Sequence, residues 1–512
     1  MLAGVGRHDP AAFSNVVGCW PMDEVSTEPI SGVSIPDPTV WWRYTGDGST
    51  VTDEGTAGIN GTVVNGPVPV SADGYEFDGV NQYVAATYSP APNASQISLA
   101  VVCKADSFSS NEAESPTRKM PIALGLSDAP ATAYRGASIH FRRSSSSPDR
   151  ASVRFTVANA STDIYATTPD DLCDVGVRMC IVGSADLTRD LSRILYADEN
   201  GKVRFYTANN TFTAIAYDAT SPQLETGRHR QSDINDRYWD GTIKEAQVYD
   251  GVALDFRQML QLAQELLGME FNLPHLVDTS GNGRHLYAEQ PEQFGEILMT
   301  QLAPGLTGVA LNGGSGGAEG SPYHSLWYPD PQPDFRIWGT TDMAVGIIAV
   351  MGDQLGDRSI TTARIVSCSG DNNNIDSQPK NELWAMAVTG DVMAVSCYHE
   401  SGASGTDRNV TDNEQALTVG LLAHIWMSRA SGVTYKRWLN GVLSPNSPMT
   451  SSAVPSDDGE QSCLRVGGKE PGYGTIRGAA ASLILINGNA DDADAALGFA
   501  QTVGAAFSRE VP

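Results

Sequence analysis

Trp239-Asp-Gly-Thr-Ile-Lys-Glu-Ala-Gln-Val-Tyr-Asp-Gly-Val-Ala-Leu254, continued by Asp255-Phe-Arg-Gln-Met-Leu-Gln-Leu-Ala-Gln-Glu-Leu-Leu267, changes its period half way along. In the first part Ala246 and Val248 alternate with Glu245 and Gln247, the period of two that marks a strand with one buried face. Asp250-Gly251 breaks that strand, and Phe256, Met259, Leu260, Ala263, Leu266 and Leu267 then recur at helical spacing. A glycine-led strand, a turn and a short helix make a domain ending, the helix being expected to cap an open end of the fold. A second ending of this kind runs through Gly478-Ala-Ala-Ala-Ser-Leu-Ile-Leu-Ile486, with a helix expected over residues 492–507.

The bulk numbers agree with repeated β-structure. A chain of 512 residues is too long for one ordinary core, and 51 glycines with 28 prolines favour many turns and short strands over long helices. No run of 18 apolar residues exists, so no membrane-spanning helix is expected. The formal charge of −27, from 60 acidic and 33 basic residues, disfavours nucleic acid and anionic membranes as partners; a solvated acidic surface accounts for it. The seven cysteines show no Cys-x-x-Cys pair, and several sit in apolar runs such as Val101-Val102-Cys103. They are expected to be buried free thiols of a reducing compartment. The opening residues lack the basic and apolar blocks of a secretory leader, which points to synthesis and retention in a cytoplasm or to release by a route that is not signal-directed.

Taken in order, residues 1–17 read as an arm, and Gly18-Cys19-Trp20-Pro21 as a first strand. A Pro-, Gly-, Ser- and Thr-rich stretch from Ser26 to about Thr52 reads as a loop carrying Trp41, Trp42 and Tyr44. Further signals then recur in the same order 225 to 240 residues apart: Asp53-Glu-Gly-Thr-Ala-Gly58 and Asp278-Thr-Ser-Gly-Asn-Gly283; Gly74 and Gly308; Asn200-Gly201 and Asn440-Gly441; Gly241 and Gly478. In the second copy residues 269–273 are expected to stand in for the Trp20 strand. These motifs resemble those of LamG-like (laminin G, concanavalin A-like lectin/glucanase) jelly-roll domains: an opening "D-x-S-G-N-G", a strand before "D-G", a "Y-x-N-G" hairpin and the glycine-led closing strand. The resemblance implies an all-β chain of two tandem concanavalin A-like jelly-roll β-sandwiches, each closed by a short C-terminal helix. The expected layout is an arm over 1–17, a first sandwich over 18–267 and a second over 268–512.

Such sandwiches host lectins, structural modules and glycan-cleaving enzymes, so function must be sought in the side chains. Glucanase relatives carry "E-x-D-x-x-E"; this chain does not. A Ser/His/Asp nucleophilic site has no support, and His399-Glu400 and His424 read as structural. No catalytic residue is therefore expected. Asp371-Asn-Asn-Asn-Ile-Asp376 offers oxygen ligands of the kind calcium takes, though Asx-rich loops are more often turns; no other cofactor is expected. Trp41, Trp42 and Tyr44 are the candidates for glycan or interface contact, with folding back onto the sandwich as the competing reading. By association with the resembled family, the expectation is a non-enzymatic bacteriophage virion protein, tail-associated or head-decorating, assembled in the host cytoplasm. Its expected partners are other virion proteins, further copies of itself (a trimer among the symmetric options) and a host-surface glycan. The alternative is a bacterial surface or secreted carbohydrate-binding or glycan-processing protein.

Overall fold

The computed structural model describes residues 8–487 apart from a set of segments, chiefly 109–117, 127–134, 229–237, 312–324, 331–341, 352–361, 371–381, 451–461 and 468–477, and shorter breaks elsewhere. The expected second closing helix and the Asp371–Asp376 loop lie outside the described residues, as do the side chains of His399 and Glu400.

The chain forms two compact units. One is Pro29–Phe271, and the other joins Met1–Glu28 to Asn272–Pro512. Each is a sandwich of two antiparallel sheets, as the all-β expectation required. In Pro29–Phe271 the first sheet runs Val203–Asn209, Leu191–Asp198, Arg178–Asp186, Gln96–Ala105, Asp240–Asp250, Tyr75–Asp78, Val68–Pro69, with Val40–Arg43 also paired to Asp240–Asp250. The other unit repeats that order strand for strand: Val442–Leu443, Thr434–Leu439, Leu422–Ala430, Met343–Met351, Gly478–Asn487, Leu306–Leu311, Met299–Ala303, with Val16–Pro21 paired to Gly478–Asn487. The second sheets correspond in the same way. One runs from Asp163–Thr167 through Arg150–Asn159, Arg135–Arg143, Arg118–Leu126, Gln223–Thr226, Tyr83–Thr87 and Gly61–Val64 to Thr50–Val51. Its counterpart runs from Thr406–Ala416 through Ala394–Ser401, Glu382–Thr389, Thr362–Gly370, Ser462–Val466, Ser325–Trp327 and Leu286–Glu289 to His275–Leu276. In each unit one apolar cluster fills the space between the sheets, because strands alternating apolar with polar residues can bury their apolar faces only against a second layer. Trp42, Val101, Ile139, Phe155 and Ile181 build one core; Trp20, Val345, Ile365, Ile425 and Leu483 build the other.

The Trp20 strand corrects the expected boundaries. It does not open the first sandwich: Cys19 pairs with Ile484 and Trp20 with Leu483, so the strand belongs to the sandwich completed at the other end of the chain. The strand doing the same work in Pro29–Phe271 is Val40–Arg43, which the Pro- and Gly-rich surroundings disguise as a loop. Residues 269–273 replace nothing; Met269 N–H simply finishes the helix by donating to Gln264 O.

Matching hydrogen bonds fix the equivalence. Asp53 Oδ1 accepts the backbone N–H groups of Trp41 and Gly55, and Oδ2 that of Ile59. Asp278 Oδ1 accepts those of Cys19 and Ser280, and Oδ2 that of Arg284. The indole of Trp42 donates to Ile59 O at 2.7 Å, and that of Trp20 to Arg284 O at 2.6 Å. Trp41 and Asp53 are 12 positions apart; Cys19 and Asp278, 259. One sandwich is thus nested in the first loop of the other, where a tandem order was expected.

The helix Phe256–Leu267 starts at a capping box, Asp255 accepting from Gln258 N–H while the Gln258 side-chain oxygen accepts from Asp255 N–H and its amide nitrogen donates to Ser34 O, and it stops at Gly268 in the left-handed region. Its buried side faces Arg178–Asp186 and Leu191–Asp198, with the Phe256 ring 5.0 Å from Phe205. Phe205 points away from the core, so the helix covers the outer face of the first sheet and not an open end.

The side chains of six cysteines are described, and all six are buried thiols outside any disulfide. Burial pushes the thiols of Cys103, Cys173 and Cys180 up, which withholds the reactive thiolate. Labelling with a thiol reagent should therefore spare these six in native protein and reach all seven cysteines in denaturant; rapid native labelling of any of the six would contradict this packing.

Candidate functional site

The three aromatic candidates separate by parity. Along Val40–Arg43 and its extension, Val40, Trp42 and Tyr44 point into the core while Trp41 and Arg43 point outward. Trp42 is fully buried beside Gly61, whose hydrogen stands where a side chain would meet the indole. Tyr44 is buried against Tyr75 and Phe77, its hydroxyl bonded to Thr226 Oγ1 at 2.5 Å, and burial pushes its pKa up. Neither reaches solvent to stack on a ligand; the buried pattern corrects the expected loop placement.

Trp41 is the accessible one. Its cross-strand partner is Gln247, and Arg43 stands opposite Glu245. The Arg43 guanidinium lies 4.2 Å from the centre of the Trp41 ring. The indole N–H donates to Glu245 Oε2 at 3.0 Å, and Arg43 Nε is 3.6 Å from the same oxygen. Arg43 also reaches Glu54 at 3.5 Å, and Lys244 sits at the margin of contact with Glu245. The Arg43 and Glu54 side chains are each more than two-fifths exposed, so their ion pair contributes little to stability. What the contacts do is hold an indole in one orientation on a rigid strand, ringed by hydrogen-bonding groups of both signs.

A second polar surface escaped the sequence reading. On the outward side of the second sheet of Pro29–Phe271, Glu225, Ser138, Thr156 and Tyr165 fall in one row by strand register, with Ala123 between the first two. Arg228 pairs with Glu225 and lies 3.5 Å from the centre of the Tyr83 ring, which is itself 6.5 Å from Tyr238. Burial alone would lower the Arg228 pKa; Glu225 outweighs it and keeps the guanidinium charged. At the other end Arg154 stacks 4.2 Å from the Tyr165 ring, which is 40% exposed. Glu225, Ser138 and Thr156 are buried, so the row offers solvent mainly its aromatic ends. The available signal was the polar alternation within each strand; the register that lines the strands up is not written in any one of them.

Among the described residues no group of three or more His, Cys, Asp and Glu is placed to hold a metal, and no helix is long and apolar enough to cross a membrane. The sequence does contain one Gly-x-Ser-x-Gly string, Gly313–Gly317, which lies outside the described residues.

No protein-family model matches the chain, and no curated protein sequence does. Solved structures similar to it include the CBM40 of the Ruminococcus gnavus IT-sialidase (13% identity, TM-score 0.26, 33% of this chain and 83% of that one). A native heptameric SAP-like pentraxin from Limulus polyphemus is similar at 13% identity and TM-score 0.27, over 49% of this chain and 95% of that one. The Trypanosoma rangeli sialidase is similar at 11% identity and TM-score 0.28, over 88% and 68%. At these scores the likeness speaks to neither ligand nor chemistry.

Proposed function

We propose that the protein is a non-enzymatic adhesion component that meets surface glycans through Trp41, Arg43 and Glu245, and that it is a structural protein of a tailed-phage virion. The observation that carries the glycan reading is the Trp41 indole, fixed by Glu245 on one side and Arg43 over its ring. A sugar presents C–H faces that pack on an aromatic ring and hydroxyls that need donors and acceptors nearby; this patch supplies both without having to be ordered first. The virion setting is supported by the family resemblance of the sequence motifs and by six buried thiols outside any disulfide, which suit assembly in a reducing cytoplasm.

Trp41→Ala should weaken oligosaccharide binding at least about tenfold, the equivalent of ~1.4 kcal/mol, with the melting temperature nearly unchanged because the ring is on the surface. Titration calorimetry against bacterial surface oligosaccharides reads this. No binding by the wild-type chain, or equal binding by the variant, would sink the glycan reading. Recovery of the chain from purified particles in stoichiometric amount tests the virion setting, and its absence from them would favour a bacterial surface protein with the same patch.

A further inference from the structure

The two sandwiches supply an internal control for the Trp41 patch. Trp41 and Cys19 hold the same place: one gives its N–H to Asp53 and the other to Asp278, and each accepts an N–H on its own carbonyl at 2.8 Å, from Glu54 and from Thr279. Arg43 stands opposite Glu245 where Pro21 stands opposite Ser482. Tyr44 N–H donates to Lys244 O where Met22 N–H donates to Ala481 O. Arg43, Glu54, Lys244 and Glu245 therefore answer to Pro21, Thr279, Ala481 and Ser482 on one backbone pattern. The fold does not need the four charges, since it is built without them in the other unit.

We propose that these charges make the Trp41 patch selective: it takes uncharged saccharides and turns acidic ones away. This rests on the glycan reading of the same residues and names the class of sugar they accept.

The selectivity lies in how the cation is held. A lone arginine beside an indole would draw in a carboxylate or sulfate, because a guanidinium pairs with such groups through parallel hydrogen bonds. Here Arg43 Nε is 3.6 Å from Glu245 Oε2, and a terminal nitrogen is 3.5 Å from Glu54 Oε2. The protein's own carboxylates fill the positions an acid would take. Glu245 cannot yield: its side chain is 10% exposed, and its Oε2 also accepts the Trp41 indole N–H. Displacing it would strand a buried carboxylate and release the ring. Glu54, 43% exposed, is the side that could open, but an acid entering there still meets Glu245 and Asp53.

With Lys244, 4.0 Å from Glu245 Oε1, the cluster sets two cations against three carboxylates, on a chain of net charge −27. An anion about 6 Å from one surplus negative charge loses about threefold in affinity in bulk water, and more where water is excluded. Hydroxyl groups meet no such penalty. Each both donates and accepts, so it bonds to a clamped carboxylate or to a spare guanidinium N–H without displacing either.

Titration calorimetry of the whole chain tests this against matched pairs of bacterial surface oligosaccharides, each pair differing only in a hexose or the corresponding uronic acid. In low salt the neutral member should bind at least about threefold tighter. Raising sodium chloride from about 20 to about 500 mM should narrow that ratio, because repulsion at an exposed site is screened. Glu54→Gln should narrow it as well, chiefly by strengthening the acidic member, since an edge of the guanidinium is then open to it. The variant keeps its backbone bond to Trp41 O and loses only an exposed ion pair, so it folds. Acidic members bound as tightly as neutral ones by the wild-type chain would overturn the proposal and leave the glycan reading standing. A ratio unmoved by salt or by Glu54→Gln would also overturn it. Binding of no member of any pair would end the glycan reading and this inference with it.

Discussion

Cutting out residues 29–271 and joining the flanks with a linker of about ten residues should leave a sandwich that still melts cooperatively, and the excised piece should fold alone. Deleting residues 1–28 instead should abolish cooperative melting of the C-terminal unit and spare Pro29–Phe271. Pairing and clasping, not chain order, dictate these outcomes. Trp20, Val17 and Met22 are core residues of the C-terminal unit, so removing them strips one wall of its apolar centre and frees an edge of Gly478–Asn487. Conversely, the ends of the insert are tied locally. In the host sandwich Ser26 and His275 are joined by paired hydrogen bonds. In the insert the Gln264 amide donates to Ile30 O at 2.8 Å and accepts Phe271 N–H at 3.0 Å, holding its first and last residues to one side chain. A short linker is all the host needs, since the equivalent separation in the insert is 12 positions. Calorimetry and amide-proton NMR of the three proteins read the result. An excised host that is unfolded, or a C-terminal unit that survives loss of residues 1–28, would show that the nested arrangement is wrong.

The second large effect is the selective damage of paired tryptophans. Trp20→Ala and Trp42→Ala should each cost about 3–5 kcal/mol, a large share of a single domain's ~5–15 kcal/mol. Each should act on its own unit only. Trp20→Ala lowers the transition of the C-terminal unit although residue 20 precedes the whole insert, and Trp42→Ala lowers that of Pro29–Phe271. Both losses exceed simple cavity formation, because each indole N–H satisfies a carbonyl in the loop that its companion Asp organises. Two resolved thermal transitions, each shifted by only one substitution, are expected; a Trp20→Ala protein in which only the Pro29–Phe271 transition moves would refute the assignment.

Much of this was legible in the residues. The change of period at Asp250-Gly251 marks where the strand Asp240–Asp250 gives way to the helix Phe256–Leu267. The Asp53 and Asp278 motifs mark equivalent turns because a carboxylate two and six residues ahead of the amides it binds leaves that spacing in the sequence. Adjacency in sequence suggests adjacency in space, which misplaces Trp20, whose partner Leu483 lies beyond the insert. The Pro- and Gly-rich setting makes Trp42 and Tyr44 look like loop residues, though the alternation Val40, Trp42, Tyr44 against Trp41, Arg43 carries a strand's period. The Glu225 row could not be seen in advance, since it depends on how five strands align.

Pairing a first strand with a last one sets a timetable for synthesis. His8 and Ser482 are 474 positions apart, so at ribosomal speeds the opening strand waits between about 20 and 100 s for its mate to be translated. During that wait the insert can fold, drawing the two halves of its host together, while a tryptophan-bearing strand stays open to mispairing. A cell making this chain would do well to keep a chaperone on its leading residues until the ribosome lets go.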